Sequence, residues 1–114
     1  MAPGQFRNAS EKLCRARGAL MLPLRPEGEA QAFADAFTEC SWGLHNVGPD
    51  DLDERAQSWL RTIQEAMDTT GIEDPFGRGK FDIKAERLTF DQKQEFSHAV
   101  DELASWFDRK FWAG

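Results

Sequence analysis

The stretch TFDQKQEFSHAVDELASWFDRKFW, Thr89 to Trp112, decides how the chain is read. Thr89 with Gln92 three residues on has the form of a capping box, in which each side chain satisfies the other residue's backbone N–H. Phe96, Ala99, Val100, Leu103, Phe107 and Phe111 then recur at helical spacing, with Trp106 at the edge of the stripe. A long helix with one continuous apolar stripe must bury it against other elements. The rest of the chain offers helices for that purpose.

The same stretch holds a Glu-x-x-His pair, Glu95 and His98, and a further glutamate, Glu102. Di-metal bundles use this spacing, with the ligands projecting inward. Helix geometry argues against that use. With Phe96 at about 0°, Val100, Leu103 and Phe107 fall within roughly 40° of it, whereas His98, Glu102 and Glu95 lie near about 200°, 240° and 260°. The three polar residues share a face that points away from the core, so no buried metal is expected, and a surface zinc held between molecules by Glu95, His98 and Glu102 is the weaker alternative.

Three earlier segments are periodic. From about Asn8 to Leu20, the residues Ala9, Leu13, Ala16 and Leu20 share one side, although Gly18 weakens the helix by about 1 kcal/mol relative to Ala. Residues 1–7 read as a flexible or extended arm. A second helix starts near Glu27–Glu29 and carries Phe33, Ala36, Phe37, Cys40 and Leu44. It ends near Asn46–Gly48, where Gly48 suits a C-cap and Pro49 blocks continuation. Asp50 or Asp51 is expected to cap a third helix with Leu52, Ala56, Trp59, Leu60, Ile63, Ala66 and Met67 on one stripe. DTTG at Asp68–Gly71 ends it.

Residues 72–88 form a connector that is long for a small bundle. Asp74-Pro75-Phe76-Gly77 fits a type I turn. KFDIK alternates like a strand, but DIKAERL reads better as a short helical segment, since a lone strand would lack a partner. The expectation is a single all-α domain over 1–114, a bundle of about four helices with a long irregular connector before the last.

Composition narrows function. A chain of 114 residues fits one core, and its 40% hydrophobic content is enough to fill it. No apolar run approaches the about 20 residues of a membrane span, and the N-terminus lacks the pattern of a secretory signal. The net charge of −6 opposes nucleic-acid binding, which needs a basic footprint. Charge is uneven. Residues 1–26 hold five bases against one acid (+4), and residues 27–114 hold nine bases against nineteen acids (−10). This suits a basic first helix lying on acidic neighbours.

Two cysteines, Cys14 and Cys40, are too few for a disulfide scaffold and read as reduced thiols of a cytoplasmic protein. With His45 and His98 they lack the local clustering of a zinc motif. A Cys–His nucleophile would need thiolate activation that nothing in the sequence supplies. No catalytic residue and no cofactor is marked out.

Two groups of candidates remain. FGRGK, Phe76–Lys80, combines glycines with Arg78 and Lys80, which could receive an anion, although it lacks the strand, spacing and terminal hydroxyl of a P-loop. Trp42 lies about 180° from Phe33, opposite the stripe of its own helix. Trp112 also falls off its stripe, and exposed tryptophans are common interface anchors. Phe76 joins them as an interface candidate. The favoured reading is a non-enzymatic protein-interaction or regulatory module, self-associating or with a protein partner. One alternative is a small acidic inhibitor or immunity-type protein. Another is an enzyme or ligand-binding bundle that uses Arg78 and Lys80 with carboxylates.

Overall fold

The capping box at Thr89 forms. The Gln92 amide donates to Thr89 Oγ1 at 3.1 Å, and the Thr89 amide donates to Gln92 Oε1 at 2.9 Å. In the computed structural model, which describes residues 3–21, 29–45, 47–77 and 79–113, this box opens the longest helix. The helices are α1 (Pro3–Met21), α2 (Glu29–Leu44), α3 (Glu54–Met67), α4 (Lys80–Arg87) and α5 (Phe90–Ala113), with a 3₁₀ turn at Pro49–Asp51. No strand occurs among the described residues.

The fold is all-α, with five helices rather than about four. The additional helix is the second half of the connector. α4 buries Ile83 and Ala85, and its Phe81 ring packs edge-on to Phe37 of α2 at 5.7 Å between centroids. That contact selects helix over the strand that KFDIK also allows. At the N-terminus, α1 begins at Pro3, so residues 3–7 are helical where an arm was expected. Proline is accommodated in a first turn because its missing N–H has no partner there anyway.

α1 packs on α2 and α5, α3 on α5, and α4 on α2. Ala9, Leu13 and Ala16 of α1 are fully buried, as are Phe37 and Cys40 of α2, Ile63 of α3, and Phe96, Val100, Leu103 and Phe107 of α5. Phe96 is the hub. Its ring lies 5.9 Å from Phe33 and 5.0 Å from Phe37, the latter edge to face. Such pairs add about 0.5–1.5 kcal/mol beyond burial. Among the described residues, the basic α1 meets the acidic α5 through one ion pair, Arg17 with Asp101 at 3.4 Å.

Two local expectations are corrected. α3 is capped by Asp53, not by Asp50 or Asp51: Asp53 Oδ1 accepts the Ala56 amide at 2.9 Å. Asp51 instead belongs to the preceding turn, where its carboxylate accepts the Gly48 amide at 3.0 Å. Gly48 is not in the left-handed region, and α2 already ends at Leu44, so Gly48 is not its cap. Trp106, at the edge of the α5 stripe, is buried. Its indole N–H donates to Asp53 Oδ2 at 3.0 Å, joining the start of α3 to α5.

Candidate functional site at the Trp42 edge

α2 places Trp42 in its last turn, on the side away from Phe33 and Phe37, and the residue is 54% exposed. Carbonyls in a last helical turn have no partner within the helix. The Trp42 carbonyl finds two outside it. Asn8 Nδ2 of α1 donates to it at 3.2 Å, and His45 Nδ1 lies 2.8 Å away. In the tautomer that carries its proton on Nδ1, the ring donates to this carbonyl.

The side chain is set by a close helix crossing. A Cβ added at Gly43 would lie 2.6 Å from Lys12 Cβ and 3.2 Å from Leu13 Cδ2. Glycine therefore lets α1 approach α2 nearer than any other residue would. That approach brings the Lys12 ammonium 5.4 Å from the centroid of the Trp42 ring. The result is an exposed indole with a cation against it and its backbone tied to α1. A cation in this position gains about 0.5–1 kcal/mol at an exposed site. The edge thus presents an exposed aromatic face with a positive charge against it.

The other candidates do not gather at this edge. Phe76 is 88% exposed at the apex of a turn closed by the Gly77 amide donating to the Asp74 carbonyl at 3.4 Å. Lys80 is exposed at the start of α4, and Arg78 lies outside the described residues. The Gly79 amide, which an anion at this loop would need, already donates to Asp74 Oδ2 at 2.8 Å. The Trp112 side chain is outside the described residues.

Glu95 and His98 are exposed and Glu102 is half-buried, all on the outer side of α5. Among the described residues no three His, Cys, Asp or Glu side chains are placed to hold a metal ion. Cys40 is the opposite of an activated nucleophile. Burial, and then the neighbouring Glu39 carboxylate, push its thiol up to about 12. Both cysteines are free thiols.

Sequence reasoning missed three participants and one exposed aromatic. Asn8 and Lys12 could not be assigned to Trp42 without the register of α1 on α2. Gly43 carried a signal, since an isolated glycine inside a helical pattern often marks close packing. Phe90 is 72% exposed, and its position about 120° from Phe96 on the helical wheel was the available clue. No described helix is long and apolar enough to cross a membrane. No protein-family model matches the chain, and no curated protein or solved structure is significantly similar to it.

Proposed function

We propose that this protein is a non-enzymatic interaction module that docks a protein partner at the Trp42 edge, and that it works in the cytoplasm, where its two free thiols stay reduced. The observation that carries the reading is the contrast between two tryptophans. Trp106 is buried and its indole N–H is bound to Asp53, whereas Trp42 is more than half exposed with its backbone fixed from two sides. A rigid, exposed tryptophan beside a cation loses little conformational freedom on binding, which is the property of an interface anchor.

The ligand-binding alternative has less to support it, because Asp74 occupies the Gly79 amide that would face an anion. The inhibitor alternative belongs to the same class but would use the acidic surface, and it rests on charge balance alone.

A photo-crosslinking residue at Ser41, exposed next to Trp42, tests the reading against the same residue at Glu86, exposed on α4. Adducts are expected from position 41, to another copy or another protein, and Trp42→Ala should abolish them. Equal adducts from both positions, or adducts unchanged by Trp42→Ala, would sink it.

A further inference from the structure

The geometry points to a second copy of this chain as the occupant of the Trp42 edge, docked head to tail through the acidic outer row of its α5. This rests on the docking reading above and names the partner.

The first observation is a pair of unspent charges on α1. Arg7 pairs with Glu11 in its own helix, and Arg17 pairs with Asp101 of α5. Lys12 and Arg15 make no ion pair among the described residues, and Lys12 is the cation held against Trp42. The edge therefore calls for carboxylates.

The second observation is where unspent carboxylates lie. Asp91, Glu95, His98 and Glu102 follow one another along α5 at spacings of four, three and four, so they form a single row. Asp91, Glu95 and His98 are exposed and Glu102 is half-buried. None of the four makes an ion pair or side-chain hydrogen bond among the described residues. At about 1.5 Å per residue the row is roughly 16 Å long, a length that the Lys12–Trp42 edge and Arg15 can both engage.

The third observation fixes the mode. α2 and α5 meet through Phe33 and Phe37 against Phe96. Trp42 is on the side of α2 away from that contact, and the acidic row is on the side of α5 away from it. One molecule cannot bring its own edge to its own row, and two copies satisfy each other only by pairing unlike surfaces. Such a heterologous contact leaves a free edge at one end and a free row at the other, and so propagates beyond a dimer.

Sedimentation velocity on the purified full chain, from micromolar to millimolar concentration, tests this. The wild type should grow past a dimer. Lys12→Glu, or Trp42→Ala should the first perturb the α1–α2 crossing, removes the edge. Glu95→Lys with Glu102→Lys removes the row. Each should weaken association about tenfold or more, with helicity by circular dichroism unchanged. Mixing the edge-deficient and row-deficient chains should give a heterodimer that stops at two, because each retains the surface the other lacks. Placing Lys12→Glu, Glu95→Lys and Glu102→Lys in one chain should restore growth.

A wild type that stays monomeric throughout overturns the second-copy proposal. If Trp42-dependent adducts still form at position 41 with a different protein, the docking reading survives that failure. A closed dimer indifferent to the Glu95 and Glu102 reversals overturns the head-to-tail mode. Association unmoved by both Trp42→Ala and Lys12→Glu, together with no adducts from position 41, overturns both.

Discussion

Cys40 has no exposed surface, and its thiol is pushed up to about 12, chiefly by burial. In the unfolded chain a cysteine ionises near 8.5. The folded state thus holds a proton that the unfolded state releases between about pH 8.5 and 12, and this contribution to stability is full below that window and drains as pH rises through it. Reactivity follows the same logic. Under native conditions at mild alkaline pH, an alkylating reagent should modify the half-buried Cys14 first and reach Cys40 only as the protein unfolds. Mass mapping of a labelling time course checks this, and equal rates at the two cysteines would contradict the burial. Asp53 is shifted in the other direction. The Ala56 amide, and then the Trp106 indole, hold its carboxyl below the usual aspartate range. A depressed folded value means that the contribution is present above about pH 4 and is lost as pH falls through the folded value. Asp53→Asn keeps an oxygen for Ala56 but turns an NH₂ toward the indole. The variant should melt several degrees lower at neutral pH, and its melting temperature should fall less steeply than the wild type's below pH 4. Asp68 is also held low, through Thr70, so part of the acid slope should survive the change.

Two glycines in helices predict opposite outcomes at the scale of the element. Gly18, inside α1, has nothing within 4 Å of an added Cβ, so Gly18→Ala should stabilise by about 0.5–1 kcal/mol through helix propensity. Gly43 sits where α1 and α2 cross, and its added Cβ would strike Lys12 Cβ, which is fixed to the backbone. Gly43→Ala should therefore cost about 1–3 kcal/mol by forcing the helices apart, and should alter Trp42 fluorescence as Lys12 is displaced. Urea titrations of the two variants check the signs; a stabilising Gly43→Ala would mean that the crossing is not tight. This contrast also marks what the residues reveal unaided. The capping box at Thr89, the stripe of α5 and the outward setting of Trp42 are local consequences of spacing, and each is legible from the sequence. Choosing Asp53 over Asp50 and Asp51 as the cap was not, because the choice is reinforced by Trp106, far away in the chain. α4 was ambiguous for a related reason: its alternating residues suit strand or helix until Phe81 meets Phe37. The Lys12–Trp42 pairing depends on the register of two helices, and among local signals only Gly43 hints at it.

In the whole molecule, α1 has two tasks that pull together. It covers α2 and α5 with Ala9, Leu13 and Ala16, all fully buried. It also carries most of the positive charge of residues 1–26, against a balance of −10 in residues 27–114. Deleting residues 1–26 therefore uncovers the faces of α2 and α5 that α1 covers and leaves the remaining charge without its internal counterweight, and both effects oppose the compact state. The shortened chain should lose its near-ultraviolet circular dichroism and its sigmoidal melt. Salt separates the two causes. Raising ionic strength screens repulsion but cannot replace buried surface, so restoration of a cooperative melt by salt would assign the role of α1 to charge. No restoration would assign it to packing, which is the outcome expected here. Leu13→Ala in the full chain isolates that packing without changing charge. The side chain is fully buried and lies against the Gly43 crossing, so the cost should be about 2–5 kcal/mol, with cooperativity retained. A truncated chain that melts near the wild-type temperature would show instead that α2 through α5 close a core without α1.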